Sequence, residues 1–290
     1  MNLLALLQTN PVLFIFAAGL LGLIVGSFLN VVIHRLPQMM EREWRAHCVE
    51  LSGAPQTIAP ARFDLLHPPS HCPQCGRGIK AAENIPLLSY LLLGGKCAGC
   101  GARIALRYPI VEVSTALLSA VVAWHFGAGV VGLAALPLTW VLIALSFIDF
   151  DHQLLPDSIT LPFLWAGLGL SLFNVFVDSE TAIIGALAGY LSLWLVYIVF
   201  KLVTGKQGMG HGDFKLLAML GAWLGWQALP VIILLSSLLG ALVGIALILL
   251  RGRDKNVPIP FGPYLALAGW LALLWGKDLT QAYLQFAGLA

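Results

Sequence analysis

The sequence has few charged residues, because aspartate, glutamate, lysine and arginine make up only 10% of its 290 positions. Hydrophobic residues make up 59%, and residues 113–148 contain no Asp, Glu, Lys or Arg at all. A soluble domain usually has about 25% charged residues and cannot bury this much apolar surface in one core. The composition therefore excludes an ordinary soluble protein and indicates a polytopic membrane protein.

The motifs of several enzyme classes are also missing from the sequence. It contains no GxSxG elbow, no HExxH helix and no Cys–His signature, which argues against the serine, zinc and cysteine hydrolases. No strand–GxGxxG–helix unit is present, which excludes an ordinary Rossmann pocket for a cofactor. The basic residues form no dense run interleaved with aromatics, so nucleic acid is not an expected partner.

The fold class predicted from the hydrophobic segments is an all-α polytopic membrane protein with about eight transmembrane helices. Crossing the hydrocarbon takes about 20 apolar residues. The predicted segments are 11–33, 109–126, 129–148, 158–177, 181–200, 214–229, 231–250 and 261–283. The first segment has no basic region before it and is too long for a signal peptide, so we interpret it as a retained helix.

Lysine and arginine predict the orientation of these helices. They concentrate between residues 35 and 107, with smaller groups at 201–215 and 251–255. Cytoplasmic loops carry such an excess of basic residues, so these three regions are predicted to lie in the cytoplasm. An even number of crossings then places both termini on the outer side.

The predicted cytoplasmic insert, residues 34–107, contains two CxxC pairs, HCPQCG at 71–76 and KCAGCG at 96–101. Their four thiolates, Cys72, Cys75, Cys97 and Cys100, can surround Zn²⁺ tetrahedrally. Disulfides or a redox pair are the alternatives, and a reducing cytoplasm disfavours both. Four sulfur ligands leave no position for water, so the zinc is predicted to be structural and to stabilise a zinc-ribbon-like insert.

Two carboxylates stand out, Asp149 and Asp213, because each is predicted at the cytoplasmic end of a different membrane helix. A carboxylate at this depth is costly unless it faces protein or water, which makes it a functional hypothesis. If the two met, they would hold one proton between them and form the acid/base pair of an aspartic protease. Asp151 and Asp157, in the same loop as Asp149, are interpreted as capping or solvated residues.

Glycines alternate with other residues in GMGHGD at 208–213. Gly208, Gly210 and Gly212 have no side chains, so an extended substrate backbone or a neighbouring helix can approach Asp213 closely. An alternative use of the two aspartates is proton or cation relay in a transporter. Transporters usually place such groups near the midplane and often contain repeats, whereas here both lie at the cytoplasmic border and no repeat is evident.

GHGD at 210–213 resembles the GxGD motif of intramembrane aspartyl proteases. Together with DxDxxxLPD at 149–157, GSFLNVVIHRLP at 26–37, PIPFGPYL at 258–265 and the paired CxxC motifs, the whole chain resembles the type IV prepilin leader peptidase/N-methyltransferases. The resemblance implies a bifunctional enzyme of the bacterial inner membrane. It would cleave type IV prepilins and type II secretion pseudopilins on the cytoplasmic side, then methylate the new N-terminus with S-adenosylmethionine.

The resemblance also implies residue roles and a domain division. Asp149 and Asp213 would be the catalytic pair, the four cysteines the zinc ligands, and Gly95 a residue of the cofactor-binding region. Residues 1–33 would form the first transmembrane helix, 34–107 the methyltransferase-associated insert and 108–290 the peptidase domain. Membrane lipid is a further expected contact of the basic insert. Asn30, His34 and Arg35 are expected either to contact substrate or cofactor, or to anchor the helix at the headgroups.

Overall fold

The computed structural model describes residues 3–53, 62–206, 208–251, 259–286 and 288. Within these ranges the chain is mostly helical and has no β-strand, only isolated bridges beside the two cysteine pairs. The described α-helices are α1 (Leu3–Thr9), α2 (Pro11–Leu51), α3 (Leu88–Leu92), α4 (Arg107–Phe126), α5 (Val130–His152), α6 (Asp157–Ser171), α7 (Ser179–Thr204), α8 (His211–Leu224), α9 (Leu229–Arg251) and α10 (Gly262–Phe286).

Each of the eight predicted membrane segments coincides with one of these helices, which confirms the all-α fold class. By length and composition, five stretches in the described ranges are sufficiently long and apolar to cross a membrane. These are Pro11–Leu51, Arg107–Phe126, Val130–His152, Ser179–Thr204 and Trp226–Leu250. The chain is therefore a membrane protein.

The predicted ends of several helices were wrong. Helix α2 continues to Leu51, well beyond residue 33, and includes Pro37. Helix α6 ends at Ser171 instead of 177, and the turn that follows holds Asn174 at a φ of 52°. Helix α8 ends at Leu224 because Gly225 takes a φ of 81°, a backbone conformation that terminates a helix and suits glycine.

The chain divides into two compact units, residues 1–132 and 133–290. In the first unit, α2 and α4 pack so closely that two positions of α2, Gly22 and Gly26, have no room for a side chain. A Cβ atom added to Gly26 would lie 2.7 Å from the Cα atom of Glu112, and one on Gly22 would lie 2.8 Å from Cα of Ala116. Such close approach of two backbones is typical of helix packing in membranes. The predicted functional boundaries at 33 and 107 stay predictions.

The second unit is built around α8, in which nearly every residue from Asp213 to Trp223 is buried. A helix that is buried all round needs neighbours on every side, and α7 and α6 supply two of them. A Cβ on Gly185 of α7 would overlap the carbonyl oxygen of Gly221. On the α6 side, the Trp223 indole N–H donates to the Phe163 carbonyl at 2.7 Å. These contacts fix the position of α8, whose first turn contains Asp213.

Candidate active site and metal centre

Asp149 lies in the last turn of α5 and is only 6% exposed. The free carbonyl groups at this end of a helix carry partial negative charge, so a carboxylate there needs a donor from elsewhere. The backbone N–H of Gly262, the first residue of α10, donates to Asp149 Oδ2 at 2.9 Å. The N-terminal end of α10 therefore holds the carboxylate in place.

Asp213 lies in the first turn of α8 and is 7% exposed. The N-terminal end of its own helix favours a carboxylate at this position. Its carboxyl group is close enough to that of Asp149 for the two to interact electrostatically. The structure therefore brings together the two aspartates that stand 64 positions apart in the sequence.

Leu155 joins the elements that carry the two aspartates. A Cβ on Gly212 would lie 2.7 Å from Leu155 Cβ, and one on Gly262 would lie 3.2 Å from Leu155 Cδ2. The loop after α5 thus contacts both the start of α8 and the start of α10. Because glycine occupies both positions, the three segments can converge on one point.

The three alternating glycines before Asp213 have different surroundings. A Cβ on Gly208 would lie 2.7 Å from the Phe200 ring, and Gly212 packs on Leu155, so these two glycines serve packing within the protein. Among the described residues, a Cβ on Gly210 would meet only Asp213 Oδ2, at 3.8 Å. Gly210 is therefore the glycine of the three beside which an extended substrate backbone has room.

Asp157, interpreted from the sequence as a capping or solvated residue, forms a specific ion pair. The Lys215 ammonium group lies 2.7 Å from its Oδ1 and 2.6 Å from its Oδ2. The pair connects the first turn of α6 to the fifth residue of α8, two residues after Asp213. His211 is the first residue of α8. Its ring centroid lies 5.3 Å from that of Tyr197 and 5.4 Å from that of Phe214.

Gly262 is the site residue that sequence reasoning missed. It lies in the motif PIPFGPYL, whose sequence alone predicts no role for this glycine. A Cβ at this position would lie 2.7 Å from Asp149 Oδ2 and 3.1 Å from its Cγ, so only glycine fits without moving the carboxylate. The Gly-Pro dipeptide at a helix start is the sequence signal for a tight approach of this kind.

The four predicted cysteine ligands, Cys72, Cys75, Cys97 and Cys100, come together in the first unit. Their sulfur atoms all lie within 4.8 Å of one another, and the Cys72 and Cys100 sulfurs are 3.8 Å apart. Four sulfurs at the usual zinc–sulfur distance form a tetrahedron with edges of about 3.8 Å. The geometry fits a tetrahedral metal ion of the kind that thiolates prefer.

Both cysteine pairs have the same backbone hydrogen bonds. The Gly76 N–H donates to the Cys72 carbonyl, and the Gly101 N–H donates to the Cys97 carbonyl, both at 2.9 Å. Each glycine has a φ of 70°, which permits the tight turn. Backbone N–H groups of Cys75 and Gln74 lower the pKa of Cys72 to about 6. Its thiolate form, the form that binds metal, is stabilised.

Gly95 is buried beneath Tyr90 rather than open to a ligand. Its N–H donates to the Tyr90 carbonyl at 2.9 Å, and a Cβ on it would lie 2.9 Å from the Tyr90 hydroxyl oxygen. The side chains of Asn30 and Arg35 likewise form hydrogen bonds within the protein. Asn30 donates to the Tyr108 carbonyl, and Arg35 donates to the carbonyls of Asp64 and Pro68.

Comparison with known proteins covers nearly the whole chain. Residues 20–126 match the family described as Bacterial Peptidase A24 N-terminal domain, and residues 136–245 match the Type IV leader peptidase family. No solved structure matches the chain.

Curated relatives named "Prepilin leader peptidase/N-methyltransferase" are similar over their full length. The chain is 58% identical to that of Pseudomonas aeruginosa, with 99% of each sequence covered. It is 57% identical to that of Stutzerimonas stutzeri, with 98% of each covered, and 58% identical to that of Aeromonas salmonicida, with 97% and 98% covered. The paired aspartates, the four-cysteine cluster and these full-length matches agree, and the chain belongs to the prepilin leader peptidase/N-methyltransferase family.

Proposed function

We propose that this chain cleaves the leader peptide from type IV prepilins and then methylates the new N-terminal amine. The observation that carries the peptidase half is that two buried carboxyl groups, Asp149 and Asp213, lie near enough to interact electrostatically in a chain of this family. The alternative of proton- or cation-coupled transport is not favoured, because the relatives matched over full length are named for peptidase and methyltransferase activity.

Cleavage follows from the chemistry of a shared proton. Two carboxyl groups that interact ionise one at a time. The pair is proposed to hold one proton over a range of pH. The ionised member takes a proton from water, whose oxygen attacks the scissile carbonyl carbon, while the protonated member donates to the carbonyl oxygen. The tetrahedral intermediate then breaks its C–N bond, and the departing amine takes up a proton. The roles of base and acid belong to the pair, and neither role is assigned to a particular aspartate.

The position of the pair suits a membrane-anchored substrate. Asp149 lies at the end of α5, Asp213 at the start of α8, and the positive-inside rule puts both ends in the cytoplasm. Water reaches this border, whereas the membrane interior is dry. We therefore place the enzyme in the bacterial inner membrane, with a cytoplasmic insert and both termini periplasmic.

Methylation is assigned to the first unit. S-adenosylmethionine serves as a co-substrate whose methyl group passes from sulfur to the new amine, which loses a proton. Gly95 and the cysteine-rich insert are proposed to shape this region, with Tyr90 forming the cover over Gly95. Zn²⁺ bound by Cys72, Cys75, Cys97 and Cys100 would have a structural role, because four thiolates complete its coordination. Type II secretion pseudopilins are proposed as further substrates, and membrane lipid as a contact of the insert. Nucleic acid is not proposed as a partner.

Mass measurement of a processed substrate tests both activities at once. The purified chain, in lipid with S-adenosylmethionine, is expected to convert a type IV prepilin into a product without its leader and with the mass of one added methyl group. Without S-adenosylmethionine the product should lack only the methyl group. A prepilin that keeps its leader under all conditions would contradict the proposal.

Zinc content provides a test of the metal proposal. The purified chain is expected to carry about one zinc ion, and Cys72→Ser or Cys97→Ser to lose it, because each removes one of four ligands. Methylation should then fall at least about tenfold, since a structural zinc supplies folding energy to the insert. Cys48→Ser, at an exposed cysteine outside the cluster, is the matched control and should keep its zinc. Full methylation by a zinc-free chain would refute the structural role.

A further inference from the structure

Several large apolar side chains of the insert, close together in the sequence, are exposed. On α3, Leu88, Leu91 and Leu92 are 49%, 66% and 78% exposed, and Ile85, just before it, is 47% exposed. Positions i, i+3 and i+4 of a helix lie on one face. We call these four residues the leucine face. Exposed apolar side chains grouped in this way indicate an interaction site.

The leucine face is tethered to α4 through a buried carboxylate. The Leu87 N–H donates to Glu112 Oε2 at 2.7 Å, and Glu112 is only 8% exposed. Leu87 has a φ of 57°, a conformation that is strained for leucine and persists only where the surroundings hold it. Glu112 also hydrogen-bonds the Ser27 side chain of α2. The segment that carries the leucine face is therefore fixed at the level of Glu112.

Two helices place Glu112 at the same depth. Helix α4 is 20 residues long, which matches the roughly 30 Å hydrocarbon layer. Glu112 is five residues beyond its first residue, Arg107, and so about 7–8 Å below the start of the helix. On α2 the neighbouring Gly26 is fifteen residues from Pro11, about 22 Å along that layer and again about 8 Å short of its far edge. The leucine face therefore begins at a depth inside the hydrocarbon layer, about 8 Å from its cytoplasmic edge.

We propose that the leucine face lies in the cytoplasmic leaflet, at the boundary between lipid headgroups and acyl chains. Exposed leucines at this level gain from burial in lipid, as in an interfacial helix. Lys96 and Arg103, both exposed on the knuckle that follows α3, are placed to meet anionic headgroups. The insert is thereby held down on the membrane next to the two helices that carry it.

Lipids with a photoreactive acyl chain test this contact directly. The full-length chain is reconstituted in vesicles of phosphatidylethanolamine and phosphatidylglycerol that contain a trace of phosphatidylcholine with a diazirine in its acyl chain. Light releases nitrogen from the diazirine, and the carbene inserts into nearby C–H bonds. Peptide mapping should find residues 85–92 labelled within about threefold of the exposed face of α7, as expected for a segment buried in the acyl region.

Residues 62–68 are the matched control inside the same insert. Leu66 is 73% exposed, but this segment is bound through Asp64 and Pro68 to Arg35, about 36 Å along α2 from Pro11 and so outside the hydrocarbon. Its labelling should be at least about tenfold weaker than that of residues 85–92, because acyl chains do not extend to that level. Equal labelling of the two segments would overturn the proposal.

A prepilin added in excess distinguishes lipid from substrate as the occupant. Labelling of residues 85–92 should stay unchanged, and a loss of labelling on adding prepilin would overturn the proposal in favour of a substrate contact. The inference does not depend on which residues catalyse cleavage. If the leucine face does not lie in lipid, the masses of the processed prepilin stay as expected. If the proposed function is wrong, those masses change and the lipid labelling of residues 85–92 remains.

Discussion

Asp149→Asn and Asp213→Asn are each expected to abolish leader cleavage, with a loss of at least about 10³-fold in rate because the two carboxyl groups act as one unit. Asparagine keeps the shape of the side chain but can neither take a proton from water nor share one. At Asp149 the amide oxygen can still accept from the Gly262 N–H, which preserves the local contact. The measurement is the rate of prepilin cleavage by the purified variants.

Methylation of a pilin that has already lost its leader is the control for folding in these variants. It should stay close to the wild-type rate, because methylation is assigned to the first unit. Glu180→Gln is the matched control for loss of a carboxylate, since Glu180 is exposed in the first turn of α7. It should cleave normally. Either aspartate variant cleaving at the wild-type rate would show that the pair is not the catalytic site.

Gly262→Ala is expected to lower kcat for cleavage by about 100-fold, because misplacing a catalytic group by about 1 Å costs this much. The added Cβ would lie 2.7 Å from Asp149 Oδ2, a separation too short for two atoms that are not bonded. The carboxylate or the start of α10 must move, and Leu155 Cδ2, which would lie 3.2 Å from the same Cβ, limits that movement. KM should change little, since the substrate still finds the same surface.

Gly276→Ala, on the same helix, is the control for this substitution. Within the described part of the chain, a Cβ at Gly276 has no neighbouring atom within 4 Å, so cleavage should remain normal. Both variants make the same change of glycine to alanine within α10, and only Gly262→Ala places its Cβ against Asp149. Normal kcat in Gly262→Ala would mean that the contact with Asp149 has no part in positioning the carboxylate.

The features that could be predicted from sequence are those with a local signal. Uncharged segments of about 20 residues predicted the helices because hydrocarbon burial needs only length and apolarity. The spacing of the cysteines predicted their cluster because each CxxC pair forms its turn within a few residues. Asp149 and Asp213 were recognisable because carboxylates are rare at such depth in apolar sequence.

Features that depend on contacts between distant segments were beyond the sequence. The end of α6 at Ser171 is followed by the apolar stretch LFNVFV, so hydropathy continued the helix past the turn at Asn174. The Asp157–Lys215 pair joins positions 58 residues apart, and either residue alone is typical of a solvated helix end. The role of Gly262 depends on where Asp149 lies in space, which no local pattern encodes.

Both carboxyl groups are proposed to line one site that recognises the transition state of peptide hydrolysis. The most direct test of this proposal is the affinity of a prepilin peptide whose scissile bond is replaced by a hydroxyethylene group, since the hydroxyl mimics the attacking water between the two carboxyls. The wild-type chain should bind this peptide tightly, and Asp149→Asn and Asp213→Asn should each weaken binding by at least about 100-fold. Unchanged affinity in either variant would contradict the account.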